Sequence, residues 1–385
     1  MRLLVFRLIA VFLVASVPMM KSGEAQAKDP KQILKAMDRN GDGKISRKEW
    51  KKNKKAFKKL DRNGDSYLTI EELPGDKRTG SSGGTKRAAK TRTAAAPSGG
   101  WQGPLIDAHS QIDEDTDVDT IIPMLDQAGV AQVILSTRFQ QPSSDVLELA
   151  ARHPDRIIPA AKSKTKAFTK NTGKFPGMFF KELERHDYRA VAEIIMWHAA
   201  KKKVGAGKAT MDPDDPRVAV FMDTARQKGF PFIAHVEFGA MGGAKSRYMK
   251  KLETFLAANR DVPIGMIHMG QLKAGDAARL LPKHPNLFFI TSHSNPVAYN
   301  DTSQPWTRMI VDEKFAPAWE KLVIANPTRF VLAFDNVFAF HWEKNFLPQV
   351  KVWRQTLTTI PDDVAHALAH GNAERLWKLP PAVRP

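Results

Sequence analysis

Leu105-Ile106-Asp107-Ala108-His109-Ser110-Gln111 is a short apolar run that closes on an imidazole and a carboxamide. A strand-length run ending on ligand-type side chains is the signature of a barrel strand whose C-terminal end reaches an active site. Seven further runs follow: Gln132-Val133-Ile134-Leu135, Arg156-Ile157-Ile158-Pro159, Val191-Ala192-Glu193-Ile194-Ile195, Phe232-Ile233-Ala234-His235, Ile264-Gly265-Met266-Ile267-His268, Leu287-Phe288-Phe289-Ile290 and Phe330-Val331-Leu332-Ala333. Between them lie helical patterns at Ile121 to Ala128, Val146 to Ala151, Leu252 to Ala257 and Val364 to Leu368. A fifth, carried by Val218, Phe221, Met222 and Ala225, is bracketed by Asp215-Pro216 and Gly229. Eight strands alternating with helices predict an α/β chain closed as a (β/α)₈ TIM barrel over residues 104–385, near the ~250 residues usual for that fold. An open doubly wound sheet would need a glycine-rich phosphate turn after the first strand, and Asp107 to Gln111 is not one.

Active-site groups of such barrels stand at the strands' C-terminal ends. His109, His235, His268 and Asp335 end these runs. Imidazoles and a carboxylate converging from separate strands make a divalent site of the zinc type, which lowers the pKa of a bound water toward 7. His198 and His293 also lie near strand ends but carry no motif, and packing or solvent exposure is expected of them.

Leu105-Ile106-Asp107-Ala108-His109, Arg152-His153-Pro154-Asp155-Arg156, Asn326-Pro327-Thr328-Arg329-Phe330 and Gly371-Asn372-Ala373-Glu374-Arg375-Leu376-Trp377 together resemble the amidohydrolase-related family, in order and over nearly the whole barrel. That resemblance implies His109 as the first histidine of the strand-one pair, His235 as the strand-five ligand, His268 as the strand-six histidine that steers water or substrate, and Asp335 as ligand and base. Glu193 resembles the strand-four glutamate of some members. One departure stands out: the family's His-x-His is His109-Ser110-Gln111 here, so a nitrogen ligand is replaced by a weak neutral oxygen. No strand-four lysine occurs at that point, which argues against a carbamate-bridged pair of metals. The expected ligand set is His109, Gln111, Glu193, His235 and Asp335, with Asp335 and His268 catalytic. The implied activity is metal-dependent hydrolysis of a small carboxylated or cyclic substrate. Nonoxidative decarboxylation, or a catalytically inactive barrel acting as an exported calcium-dependent binding protein, remain open.

The N-terminal part reads differently. Asp38, Asn40, Asp42, Lys44 through its carbonyl, Ser46 and Glu49 occupy positions one, three, five, seven, nine and twelve of a calcium loop, with Gly43 at the turn. Asp61, Asn63, Asp65, Tyr67 through its carbonyl, Thr69 and Glu72 repeat the pattern with Ser66 at the turn, so the second site is expected to be weaker. Ile70 is expected opposite Ile45. The stretch from Trp50 to Leu60 has room for one short helix, so the pair resembles the compact EF-hands of exported bacterial proteins, spanning 28–73.

Arg2 and Arg7 around a short apolar run, followed by Ala25-Gln26-Ala27, predict a signal peptide over 1–27. The destination is then periplasmic or secreted, and the cleaved chain is not an integral membrane protein. Residues 74–103, rich in Ser, Gly, Thr, Ala and Lys, read as a disordered basic linker. The 385 residues contain no cysteine, so disulfides are excluded. Net charge is +18, with Lys48, Lys51, Lys52, Lys54, Lys55, Lys58 and Lys59 crowded together. Such a field attracts an anionic surface or polymer, but no base-reading motif accompanies it, so no specific nucleic acid is expected. Lys201, Lys202, Lys203 and Lys208 read as a solvated loop near the barrel mouth.

Overall fold

The computed structural model describes residues 29–39, 43–46, 49–50, 54–62, 67–73, 99–138, 141–163, 165–170, 173–200, 208–300 and 302–385. The expected signal segment 1–27, residues 74–98 of the linker, Asn40, Asp42, Asn63, Asp65, Ser66, Lys48, Lys51, Lys52 and Lys201 to Lys203 lie outside them, as do the side chains of Lys54, Lys55 and Lys58. The chain divides into two units, residues 1–90 and 91–385.

In the first unit, helix Pro30–Met37 is capped by Asp29, whose carboxylate accepts the Lys31 N–H at 3.0 Å, while Pro30 sits in the first turn where no N–H is needed. Helix Lys54–Leu60 is the single short helix expected between the loops. Ile45–Ser46 and Tyr67–Leu68 pair antiparallel, with Ile45 opposite Leu68. This corrects the expected partner, Ile70. Each loop contributes its eighth position, and that position in the second loop is Leu68, whose side chain is fully buried. Ile33, Ile45, Trp50, Phe57, Leu68 and Leu73 form the unit's small core.

In the second unit all eight predicted runs are strands. They are β1 Leu105–Ile112, β2 Val130–Thr137, β3 Ile157–Ala161, β4 in two pieces (Ala190–Val191 and Ile194–His198), β5 Phe232–Val236, β6 Ile264–Met266, β7 Leu287–Ile290 and β8 Phe330–Val331. Neighbours pair parallel from β1 to the first piece of β4, and from its second piece to β8. Strand β4 changes partner around Glu193: Ala192 still donates to the Ala161 carbonyl at 2.9 Å, and Ile194 already lies opposite Ala234. The ring closes where Ala108 donates to Leu332, Asp335 to His109 and Gln111 to Asn336. The fold is a TIM barrel.

Ile106, Ala108, Ile158, Ala160, Ile233, Phe288, Ile290, Val331 and Ala333 fill the barrel interior at the period of two that a strand imposes. Gly265 is required there, because a Cβ would stand 2.5 Å from the Phe288 ring. The outer face of the strands packs on helices such as Ile121–Ala128, Ser143–Arg152, Pro216–Lys228 and Lys245–Ala258. Pro216–Lys228 starts on the Asp215 cap and stops at Gly229, whose φ of 68° is left-handed. Arg354 is buried and donates to the carbonyls of Trp101, Gly103, Ala128 and Gly129, tying residues ahead of β1 to the barrel. Among the described residues no helix is long and apolar enough to cross a membrane.

Candidate metal centre

Asp335 lies just beyond β8, and its two carboxylate oxygens face different neighbours. Oδ1 is 3.4 Å from His109 Nε2 and accepts from Gln111 Nε2 at 3.3 Å. Oδ2 is 3.5 Å from His268 Nε2 and 3.4 Å from His293 Nδ1. Asp107, fully buried, holds this carboxylate in place from behind: it accepts the Phe334 N–H at 3.0 Å and the Ser110 hydroxyl at 2.5 Å, and Ser110 Oγ accepts the Asn336 N–H. The residues on both sides of Asp335 are thus clamped to β1. Burial pushes the Asp107 carboxyl up to about 7, against the opposing hydrogen bonds from Ser110, Phe334 and His109.

His235 ends β5 and lies between two carboxylates, with Nδ1 against Glu193 Oε2 and Nε2 at 3.2 Å from Glu237 Oε1. Burial alone would lower its pKa; the charge and hydrogen bond of Glu193, joined by Glu237, outweigh that and hold it above the ordinary value. The other oxygen of Glu193 accepts from Gln111 Nε2 at 3.2 Å and lies 3.8 Å from His109 Nε2. The change of partner in β4 is what leaves Glu193 facing inward at this height.

Gln111 enters the site through its amide nitrogen, at 3.2 to 3.3 Å from Glu193 Oε1, Asp335 Oδ1 and His109 Nε2. The weak oxygen ligand expected from the sequence is a donor here, lying between three ligand-type atoms. Its register is set by a shift in the β1–β2 pairing between Asp107 and Ser110, and by Trp342 Nε1 donating to the Gln111 carbonyl at 3.0 Å.

All the expected barrel residues, His109, Gln111, Glu193, His235, His268 and Asp335, therefore meet at one end of the barrel, and all are buried. The structure adds His293, Glu237, His198 and Ser292. Donor atoms of His268, His293 and Asp335 lie within 4.8 Å of one another, as do those of His109, Glu193 and Asp335, of Glu193, His235 and His268, and of His198, His235 and Glu237. His293 follows β7 by three residues and meets the same criterion that selected the others; a strand-end position was the available signal. Bonds of 2.0–2.1 Å place the ligand atoms of a tetrahedral ion roughly 3.3 Å apart, and the spacings around Asp335 fit that figure.

The rim carries Arg138, the first residue after β2, with its guanidinium 4.7 Å from the Phe338 ring centre. Phe338 stacks on Phe340, and both rings contact His341. Lys208 lies over the Trp197 ring at 5.2 Å.

In the first unit the described ligand-type groups are arranged alike in both loops. Asp38 Oδ2 accepts the Gly43 N–H at 2.9 Å across the turn, where Gly43 has a φ of 80°. Glu49 accepts the N–H groups of Arg39 and Ser46, and Glu72 those of Arg62 and Thr69, each at 2.8 to 3.0 Å. Each glutamate spans its loop from second position to ninth, the geometry that lets a twelfth-position carboxylate close on an ion.

Residues 31–52 match a family model described as EF hand. No curated protein matches the chain. Among solved structures, the barrel is similar to an uncharacterised TIM-barrel protein from Bordetella bronchiseptica, at 16% identity over 72% of this chain and 99% of that one, with a TM-score of 0.48. It is also similar to an amidohydrolase from Burkholderia multivorans (14% identity, 72% and 99% coverage, TM-score 0.44) and to 4-oxalomesaconate hydratase from Rhodopseudomonas palustris (12%, 71% and 95%, 0.45). The likeness is one of fold.

Proposed function

We propose that the barrel is a metal-dependent hydrolase of a small carboxylated or cyclic substrate. The observation that carries this reading is the meeting, at one barrel end, of Asp335 with imidazoles from β1 and from the residues after β6 and β7, at separations an ion of the zinc class accepts. An ion held there would polarise a water and a substrate carbonyl. Asp335 has the geometry of the base, since one oxygen can face the ion while the other takes the proton. His109, His235, Glu193 and His268 surround that carboxylate as ligands, orienting groups or donors to a developing oxyanion. Arg138 beside Phe338 supplies a cation and a flat apolar surface for a carboxylate-bearing ring.

The test is metal content and turnover together. Full-length protein is expected to retain or take up one stoichiometric zinc-class ion beyond its calcium and to hydrolyse members of a panel of carboxylated lactones and cyclic amides, with Asp335→Asn inactive. A protein that takes up no such ion overturns the reading.

One observation favours a second reading. The Gln111 amide nitrogen already donates to Glu193 and Asp335, as in a barrel that has ceased turnover and only binds. Under that reading His235→Ala changes no activity.

For the rest of the chain we propose export across a membrane after cleavage near residue 27, calcium binding at the two loops within 28–73, a linker over 74–103, and attraction of the basic arm to an anionic surface or polymer.

A further inference from the structure

We propose that the ion binds on the Oδ2 side of Asp335, with His268 Nε2 and His293 Nδ1 as its imidazole ligands, and that the Gln111 amide takes the cation's place on the Oδ1 side. This rests on the metal-dependent reading above and deepens it.

Three observations separate the two sides. On the Oδ1 side, the Gln111 nitrogen lies 3.2 to 3.3 Å from the three atoms that would bind an ion there, His109 Nε2, Glu193 Oε1 and Asp335 Oδ1. Two N–H donors therefore meet the two carboxylates, as a cation otherwise would, and an ion entering there would have to flip or displace that carboxamide. His235 is committed as well, with a carboxylate on each ring nitrogen.

On the Oδ2 side, His268 Nε2 and His293 Nδ1 face the same oxygen at 3.5 and 3.4 Å, close to the edge of a tetrahedron of zinc bonds. The other nitrogen of His268 lies 2.9 Å from Ser292 Oγ, and the same hydroxyl accepts the His268 backbone N–H at 3.2 Å. That hydroxyl can accept the Nδ1 hydrogen, the tautomer that turns the Nε2 lone pair toward an ion, and a partner on the far nitrogen is the arrangement found behind metal-bound histidines. Trp306 lies against both imidazoles, its ring centre 4.9 and 4.7 Å from theirs, and walls this side with apolar surface.

The backbone points the same way. His268, His293 and Asp335 follow three neighbouring strands, β6, β7 and β8, and each has a left-handed φ, of 56°, 60° and 52°. Left-handed backbone at a residue with a side chain is costly and persists only where the surrounding structure holds it. Here three such residues aim their side chains at one point. His268 thereby becomes a ligand, in place of the water-steering role that the resemblance implies, and His293 joins the site.

Chelator-stripped full-length protein, supplied with excess calcium to occupy the loops, is titrated with Co²⁺ and followed by its visible absorption. The intact protein should bind one equivalent with a four- or five-coordinate spectrum. His293→Ala and His268→Ala should each weaken binding at least about tenfold and alter the band. His109→Ala should weaken binding less than either of them. His293→Gln, with its unfolding temperature compared in chelator, serves if His293→Ala does not fold. Binding that survives both His293 variants but is lost in His109→Ala overturns this assignment alone. No Co²⁺ binding by the intact protein overturns the metal-dependent reading and this one with it.

Discussion

Replacing Asp107 by Asn should remove a pH dependence of stability that the wild-type barrel carries. The Asp107 carboxyl is fully buried and burial raises its pKa from 3.8 to about 7. A carboxyl whose folded-state pKa lies above its unfolded value binds its proton more tightly when folded. Its contribution to stability is therefore complete below the unfolded pKa and shrinks as pH rises through the folded one. The interval of roughly three units, at about 1.4 kcal/mol per unit, sets a ceiling of about 4 kcal/mol on the loss by neutral pH. Asparagine keeps the shape, and its oxygen can accept the His109 and Phe334 N–H groups that Oδ1 now accepts at 3.2 and 3.0 Å. Urea unfolding of both proteins, followed by tryptophan fluorescence from about pH 4 to about pH 8, isolates the effect, because every other titrating group cancels in the difference. The variant should gain on the wild type by up to about 4 kcal/mol across that range, with most of the change between about pH 5 and 7. A flat difference would refute the reasoning, since it would mean that the Ser110, Phe334 and His109 hydrogen bonds outweigh desolvation and leave the carboxyl ionised throughout.

Arg354→Met should cost about 4 kcal/mol or more in chemical denaturation, because it strips buried carbonyls of Trp101, Gly103, Ala128 and Gly129 of their shared donor; a loss under about 1 kcal/mol would show that water replaces it. His235→Ala should destabilise the chelator-treated protein by about 3 kcal/mol, since it leaves Glu193 and Glu237 without the imidazole between them. An unchanged melting temperature would mean the ring serves only as a ligand. Glu49→Gln should abolish tight calcium binding at the first loop, and calorimetry that still finds two equal sites would sink the loop assignment.

The eight strands were legible because each is an apolar run bounded by polar residues, and parallel strands buried on both faces leave that trace in any sequence. Three of the four motifs that carried the resemblance proved to be fastenings, while the first ends on His109 of the site. Arg156 donates to the Val130 and Ala131 carbonyls, Arg329 to those of His284 and Leu287, and Asn372 to those of Pro327 and Phe330. They identify a barrel because they hold barrel strands and loops together, and they say little about its chemistry. The pairing of Ile45 with Leu68 is also legible, from their equal positions in the two loops, whereas Ile70 lies two residues further along. His293 carries no motif, yet it stands beyond a strand end like His268.

Which side of Asp335 each imidazole faces could not be read from residue order, and the reason lies in the backbone. Strand periodicity places His235 two residues above Ile233 on the same inward face, so a sequence argument reaches it. Past the last regular residue of β6 the chain instead runs left-handed through His268, Met269, Gly270 and Gln271, and it turns left-handed again at His293 and at Asp335. Each such residue other than glycine costs on the order of 1 kcal/mol or more and redirects its side chain by an amount no period predicts. The cost is met by the surrounding order: Asp107 and Ser110 clamp Phe334 and Asn336, and Ser292 accepts the His268 N–H. Composition and spacing therefore say which groups arrive at the barrel mouth. The left-handed turns, held by buried hydrogen bonds, decide which of those groups face one another, and so where a cation can sit.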